Sequence, residues 1–322
     1  MTDSAPPSWE RSVLEKVALK ALDEQRRSRQ WGALFKLLWF ILAFAILSAW
    51  LGWIGPPDRE RVAAGRHTAL VSLDGVIAPD GKGSAERVIK SLDRAFKDSG
   101  TAGVVLRINS PGGSPVQAGY INDEMRRLRA KYPAIPLYVV VQDMCASGGY
   151  YVAVGADRIY VDKASLVGSI GVIISGFGFT GAMDKLGIER RAYTAGENKD
   201  FLDPFVAENP AHRAQAQKML DQIHAQFIAV VRRGRGARLK ETPEMFSGLV
   251  WTGEKSVELG LADGLGNLDS VARDVIKAER VVDYTTEDNV FESISRRLGT
   301  QFGAAFGRAA AQSAGSATLE LR

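Results

Sequence analysis

A serine that follows an apolar stretch and precedes two glycines is the residue in this sequence best suited to chemistry. Ser147 stands directly before Gly148 and Gly149, a few residues after the apolar run 137–141. A serine at the end of a strand lies at the edge of a sheet, and a helix that begins there aims free N–H groups at it. The pattern is typical of a nucleophilic serine in a hydrolase, although a tight turn with an N-cap serine has the same local sequence.

A second glycine pair has the properties of an oxyanion-binding turn. The apolar stretch 103–108 is followed by Pro111, Gly112 and Gly113. Proline stiffens such a turn, while the glycines can adopt positive φ and let a substrate approach the backbone. We therefore predict that the N–H groups of Gly113 and Gly148 bind the oxyanion that forms when a serine attacks a carbonyl.

A hydroxyl with an ordinary pKa is a poor nucleophile, so the serine needs a base to activate it. The identity of that base decides which catalytic mechanism the sequence supports. The three histidines are poorly placed for this role. His67 begins the first strand predicted after a long apolar segment, whereas His212 and His224 lie on a long helix with a polar face. We expect all three at the surface, which disfavours a Ser-His-Asp triad and favours a lysine base.

Lys199 is the lysine best placed to act as that base. It lies in a loop in which the apolar Phe201 and Leu202 could exclude water. A lysine base has to be neutral, and burial achieves this by lowering the pKa of the amine. The neighbouring Glu197 and Asp200 would favour the charged form, so an ordinary solvated lysine remains the alternative.

Composition excludes several other classes of function. The 322 residues are 46% hydrophobic and 24% charged, as in a chain that buries a full core. The net charge of +4 gives no sign of nucleic-acid binding. Cys145 is the only cysteine, which excludes an intrachain disulfide and a cysteine-rich metal site. We expect Cys145 to fill space in the core, with a catalytic thiol as a minor alternative.

The candidate residues lie within alternating strands and helices, which indicate βαβ units around a mainly parallel sheet. The pattern predicts strands at 67–73, 103–108, 137–141, 158–161, 172–175 and 189–194, and helices at 85–96, 116–131, 147–154, 210–233, 253–259 and 268–279. The loop 195–209 carries the candidate lysine. We expect the small-residue tail 299–322 to be flexible.

A separate apolar segment predicts a membrane anchor. Residues 37–54 contain no charge, and their 18 residues are about the minimum length of a membrane-spanning helix. Trp39 and Trp53 near the ends are the aromatics expected at headgroup level. A buried core helix and a cleaved signal peptide are the alternatives, but the long preceding segment argues against the latter. The excess of Lys and Arg before the segment predicts a cytoplasmic N-terminus.

Four motifs, in this order and spacing, resemble those of the signal peptide peptidase A family. They are Asn109-Ser110-Pro111-Gly112-Gly113, Ala146-Ser147-Gly148-Gly149-Tyr150-Tyr151, Gly168-Ser169-Ile170-Gly171-Val172 and Gly196-x-x-Lys199-Asp200. The resemblance covers roughly residues 66–285. It implies an α/β, Clp-protease/crotonase-like fold with repeated ββα-type units, preceded by one transmembrane helix. It implies Ser147 as nucleophile, Lys199 as general base and Ser169 as the residue that orients the lysine, with no cofactor or metal.

The resemblance also implies substrates and partners. It predicts a serine endopeptidase that hydrolyses apolar peptides, among them remnant signal peptides released in the membrane. It predicts a homo-oligomer, in which the Ser-Lys dyad could be completed across an interface. The apolar segment and the Lys and Arg excess before it predict a single-pass protein of the cell inner membrane, with its N-terminus cytoplasmic and its catalytic domain periplasmic or otherwise extracytoplasmic.

The predicted organisation is therefore a cytoplasmic segment 1–36, an anchor 37–54, a linker 55–65, a peptidase domain 66–285 and a tail 286–322. Two other interpretations fit the same fold, since fold does not dictate chemistry. One is a crotonase-like acyl-CoA enzyme. The other is a non-catalytic membrane scaffold in which no dyad operates.

Overall fold

The computed structural model describes residues 8–50 and 65–286. The chain divides into two compact units, Met1–Arg61 and Val62–Arg322. Among the described residues, the first unit contains one long helix and the second contains the strands. The predicted tail 299–322 and most of the linker 55–65 lie outside the described residues.

Helix α1 of the first unit runs without interruption over Ser8–Trp50, which is 43 residues. Its segment Arg29–Ser48 is long and apolar enough to cross a membrane, with a mean hydropathy of 1.9 over 20 residues. At about 1.5 Å per residue, this segment matches the roughly 30 Å hydrocarbon layer of a bilayer. From Ser8 onward, the predicted cytoplasmic segment is helical and continuous with the apolar segment, and residues 51–54 of the predicted anchor lie outside the described part.

The second unit alternates strands and helices along its length. In chain order it contains β1 (His67–Asp74), α2 (Ala85–Lys97), β2 (Thr101–Ser110), α3 (Pro115–Lys131), β3 (Leu137–Ala146), α4 (Gly148–Ala153), β4 (Arg158–Val161), β5 (Leu166–Gly168), α5 (Thr180–Leu186), α6 (Pro210–Arg235), β6 (Val250–Thr252), α7 (Gly253–Glu258), β7 (Gly264–Leu265), α8 (Leu268–Ser270) and β8 (Val281–Asp283). A π-helical turn, Val271–Ile276, follows α8.

These strands form one sheet in the order β6-β5-β3-β2-β1-β8, with β4 beside β3 and β7 beside β4. All described pairs are parallel except β5 with β6. The predicted α/β class is thus confirmed. Ser110 pairs with Cys145, and Ala146 pairs with Gly168. The carboxyl ends of β2, β3 and β5 therefore meet at one edge of the sheet, where an open α/β sheet binds its ligands.

The core fixes this edge by packing helices on one face of the sheet. Helix α2 buries Val88, Leu92 and Phe96, and α3 buries Ile121 and Met125, each at helical spacing. These side chains belong to the same buried cluster as the inward-facing residues of β1, β2 and β3. The strand ends that carry the candidate residues are consequently held by a continuous core.

Residues 172–209, which we call the apolar arm, differ from the prediction. The strands predicted at 172–175 and 189–194 are wrong, because both stretches are irregular and α5 lies between them. Their composition favours strands, but that preference depends on a pairing partner and a buried face. Neither is present within residues 65–286, where Ile173 is 82% exposed, Phe177 81% and Tyr193 93%.

Candidate active site

Ser147 lies between the end of β3 and the start of α4. Its N–H donates a 2.8 Å hydrogen bond to the carbonyl of Gly168 at the end of β5. Its backbone angles are φ 51° and ψ −121°, a combination that residues with a side chain rarely adopt and that clusters at functional sites. This sharp strand-to-helix turn leaves Ser147 partly exposed at the sheet edge, although its neighbours Ala146 and Gly148 are buried.

The predicted oxyanion donors lie beside this serine. A Cβ atom on Gly112 would stand 2.7 Å from the nitrogen of Gly148 and 2.7 Å from Cβ of Ser147, so only glycine fits there. A Cβ atom on Gly148 would stand 3.2 Å from the nitrogen of Gly113. The two backbone nitrogens therefore border the same small space next to Ser147.

Both of these N–H groups remain available. Ile77 donates its N–H to Gly112 O and accepts from Ser114 N–H, each at 2.8 Å, which leaves the N–H of Gly113 between them without an acceptor among residues 65–286. Gly148 opens α4, and the first N–H groups of a helix have no partner within it. The site can thus donate two hydrogen bonds to a negatively charged oxygen.

Ser169 lies next to Ser147 because their strands are in register. Ala146 pairs with Gly168, and each is followed by a serine with φ 51°. The N–H of Ser169 donates a 2.7 Å hydrogen bond to Leu249 O, which fixes its backbone. The structure therefore brings Ser147, Ser169 and the two donor glycines together at one edge.

No described hydrogen bond or ion pair joins Lys199 to Ser147 or Ser169 within a single chain. Lys199 lies in an exposed turn of the apolar arm, where its N–H donates to Gly196 O at 3.2 Å. Its side chain forms no hydrogen bond or ion pair with any described residue. The predicted apolar shield is partial, since Phe201 is half-buried and Leu202 is exposed.

The histidines are not surface residues, so that expectation was wrong. His67 is 0% exposed and His212 is 8% exposed, while His224 is half-buried. The ring Nε2 of each lies near a hydrogen-bonding atom: Tyr284 Oη at 3.0 Å for His67, Asn198 Oδ1 at 3.1 Å for His212 and Ile170 O at 3.0 Å for His224. No hydrogen bond joins any of the three rings to Ser147 among the described residues.

Two buried residues beside Ser147 have different roles. Cys145 is fully buried, and this burial raises the pKa of its thiol far above the ordinary value. The thiolate is the reactive form of cysteine, so Cys145 serves as a core residue. Tyr150, to which the sequence assigned no role, is also fully buried and donates its hydroxyl to Leu261 O at 2.8 Å. This bond ties α4, and with it Ser147, to the segment after α7.

A buried ion pair supports the same region. Arg235 at the end of α6 contacts Asp263 Oδ2 at 2.7 Å, and the same oxygen accepts a 2.7 Å hydrogen bond from Ile159 N–H. Burial alone would raise the pKa of Asp263, but the hydrogen bond and charge of Arg235 hold it below the ordinary value. No group of three or more potential metal ligands occurs in the described part of the chain.

The sequence of this chain is similar to those of several known proteins. The family model described as peptidase family S49 matches residues 129–282, which include Ser147, Ser169 and Lys199. "Putative signal peptide peptidase SppA" of Enterococcus faecium is 30% identical over 70% of this chain and 67% of its own length. "Putative protease MJ0651" of Methanocaldococcus jannaschii is 31% identical over 67% of this chain and 70% of its own length.

A further similarity covers a smaller share of a larger protein. "Na(+)/H(+) antiporter NhaA" of Brucella melitensis is 44% identical over 182 residues, which are 56% of this chain and 25% of that protein. The chain thus spans a quarter of the length of this relative. A protein of the same name from Brucella abortus matches to the same extent.

Proposed function

The chain belongs to peptidase family S49, and from this we propose that it is a serine endopeptidase that works through a Ser-Lys dyad. In this mechanism neutral Lys199 takes the proton of Ser147, and the serine oxygen attacks a peptide carbonyl. The leaving amine departs with a proton from the lysine. Water then releases the acyl group from Ser147, and Ser169 orients the lysine amine.

The observation that carries the proposal is the convergence of the two glycine nitrogens beside Ser147. The charge that develops on the carbonyl oxygen needs donors that are already in place, and this term is usually the largest in acyl transfer. The N–H groups of Gly113 and Gly148 border one space and have no competing acceptor among the described residues. A serine that only caps a helix has no use for a second glycine turn, such as Gly112-Gly113, facing it.

Lys199 would become a working base when a second copy of the chain packs against it. The apolar arm exposes a set of large hydrophobic side chains, namely Ile173, Phe177, Phe179, Leu186, Tyr193 and Phe205. A monomer rarely leaves such a surface in water. Covering the arm with another subunit would remove water from around Lys199, which favours the neutral amine. The exposed arm thus supports a homo-oligomer in which each lysine serves a serine.

The substrate class follows from chemistry and location. We propose that apolar peptides, among them remnant signal peptides, are cleaved close to the bilayer. Helix α1 supports this, since its Arg29–Ser48 segment is suited to crossing a membrane. The name of the Enterococcus faecium relative supports the same class. The catalytic unit would face the periplasm, with the N-terminus in the cytoplasm.

Covalent labelling tests the dyad directly. The full-length protein in detergent is treated with a peptidyl phosphonate, which reacts with activated serines, and the adduct is located by mass spectrometry. We expect labelling at Ser147 and a loss of at least 100-fold in labelling rate for Lys199→Ala, the range typical of a lost general base. Lys185→Ala removes another exposed lysine of the apolar arm and should label at the normal rate.

Three outcomes would contradict the proposal. Labelling of another serine would reject Ser147 as nucleophile. Equal labelling rates in Lys199→Ala and Lys185→Ala would reject Lys199 as base. Hydrolysis of an acyl-CoA by the wild type, with no hydrolysis of apolar peptides, would favour the crotonase-like alternative.

A further inference from the structure

Helix α6 is fixed against the helix that begins at the nucleophile. The Phe227 ring lies 5.2 Å from the Tyr151 ring of α4. A Cβ atom on Gly234 would stand 2.3 Å from Val154 O, so the two helices approach closely there. Val231 between these contacts is fully buried in the main core. The carboxyl-terminal half of α6 therefore holds a defined position relative to Ser147.

The middle of the same helix reaches the Ser169 segment. His224 Nε2 lies 3.0 Å from Ile170 O. A carbonyl oxygen can only accept, so this ring nitrogen carries the proton and donates it. Ile170 directly follows Ser169 and is fully buried.

The first turn of α6 reaches the Lys199 turn. His212 Nε2 lies 3.1 Å from Asn198 Oδ1, and its ring centroid lies 5.4 Å from that of Phe201. Asn198 and Phe201 flank Lys199 and are themselves joined by a 3.2 Å bond from Phe201 N–H to Asn198 O. Within residues 65–286, no other side-chain hydrogen bond ties the turn 196–201 to α6.

We propose that His212 and His224 are positioning residues, which fix the backbone beside Lys199 and Ser169 to a helix packed on the core of the same chain, so that each chain presents its lysine turn in a defined position to the serine that it serves. The proposal rests on the proposed function, because it assigns these histidines a role in the Ser-Lys dyad. Both Nε2 atoms donate their protons to backbone or amide oxygens, so neither nitrogen is available as a base. A misplacement of a catalytic group by about 1 Å can cost about 100-fold in rate.

Two substitutions of His212 by amide residues, glutamine and asparagine, test its contact to the turn that carries Lys199. The side-chain nitrogen of glutamine reaches about as far as histidine Nε2, whereas that of asparagine is shorter and reaches only about as far as Nδ1. For the full-length protein in detergent, we expect His212→Asn to lower kcat about tenfold with KM within about twofold. His212→Gln should recover most of the loss, since it restores one hydrogen bond. Arg213→Ala, at the exposed neighbouring position, should behave as the wild type.

The same pair at position 224 tests the contact to the Ser169 segment, with the same order expected. Thermal unfolding of each variant corrects the rates for the folded fraction, so a difference in stability alone would leave the corrected kcat values of His212→Gln and His212→Asn equal. Equal kcat values for these two variants, or wild-type kcat in both, would overturn the positioning role. Lys199→Ala distinguishes a wrong role for the histidines from a wrong dyad. If Lys199→Ala is inactive while both His212 variants are fully active, only the role of the histidines is rejected.

Discussion

At the scale of single residues, the site distinguishes two reactive side chains that are two positions apart. Ser147 is partly exposed at the sheet edge, while Cys145 is sealed in the core and its thiol pKa is raised by burial. Alternation of side chains along β3 puts the cysteine on the buried face and the following turn puts the serine at the edge. Access and backbone geometry, rather than intrinsic nucleophilicity, favour the serine as the proposed nucleophile.

Gly148→Ala tests the oxyanion site without removing a reactive group. The added Cβ atom would stand 3.2 Å from the nitrogen of Gly113 and would intrude on the space between the two donors. We expect kcat to fall by about 100-fold or more, the range seen when an oxyanion donor is lost. Peptide hydrolysis measures this effect, and thermal unfolding checks the fold.

Gly119→Ala is the matched control for that variant. Gly119 lies in α3, and an added Cβ atom meets nothing within 4 Å. Alanine is a better helix former than glycine, so the control should keep full activity and gain stability. A Gly148→Ala protein as active as this control would reject the assignment of Gly148 as a donor.

The residues of the site were predictable to the extent that they are continuous in sequence. Ser147 and the glycines carry their signal in short runs, and the register of β3 with β5 then brings Ser169 alongside. The roles of His212 and His224 were missed because their partners, Asn198 and Ile170, lie in loops that a polar helical face does not reveal. The only hint in the sequence was that both histidines lie in the same predicted helix.

At the scale of elements, buried strands were predictable and unpaired ones were not. The strands β2 and β3 are covered on both faces, so their continuous apolar runs identified them. The short strands β5 and β6 have three residues each and depend on pairing, of β5 with β3 and β6 and of β6 with β5. The apolar run 172–175 has similar local propensity but no partner within the described residues, and it remains irregular.

Tyr150→Phe tests the tie between α4 and the segment after α7. It removes the 2.8 Å hydrogen bond to Leu261 O and leaves a buried carbonyl without a partner. We expect the free energy of unfolding to fall by about 1 to 2 kcal/mol. Tyr151→Phe is the control, because the Tyr151 hydroxyl forms no hydrogen bond with any described residue. Equal stability of the two variants in chemical denaturation would show that the tie contributes nothing.

The ion pair of Asp263 makes the stability of the catalytic unit depend on pH. The pKa of Asp263 is lowered in the folded state, so its contribution is present above the unfolded value of about 3.9 and is lost as pH falls through the folded value. We expect Asp263→Asn to destabilise the protein by about 3 kcal/mol at pH 7, because it leaves Arg235 buried and unpaired.

That difference should begin to shrink below about pH 4, where the carboxylate of the unfolded chain takes up a proton, and should be lost once the pH falls through the lowered pKa of Asp263 in the folded protein. Chemical denaturation across this range measures it. Asp274→Asn is the control, since Asp274 pairs with Arg273 on the exposed surface, where ion pairs contribute little. A constant difference between Asp263→Asn and wild type at all pH values would contradict the assignment.

At the scale of the whole molecule, the apolar arm predicts assembly. Phe177→Asp places a charge on a side chain that is 81% exposed in the single chain and that would be covered in an oligomer. We expect this change to lower the oligomeric mass in detergent and to reduce peptide turnover at least tenfold. Analytical ultracentrifugation measures the mass.

Leu265→Asp is the control for assembly, because Leu265 is an exposed apolar residue on β7, outside the arm. It should leave mass and turnover unchanged. A Phe177→Asp protein of lower mass and full turnover would show that Ser147 and Lys199 of one chain suffice.

The backbone conformation of Ser147 lowers the stability of the protein at the position proposed to carry its activity. A residue with a side chain at φ 51° and ψ −121° carries a cost of about 1 to 3 kcal/mol that glycine escapes. Ser147→Ala and Ser147→Gly both lack the hydroxyl, yet only the glycine variant relieves this conformation. We expect Ser147→Gly to melt above the alanine variant, even though glycine also gains freedom in the unfolded chain. With Ser147 as the proposed nucleophile, selection for thermal stability alone would then favour glycine at this position and an inactive protein.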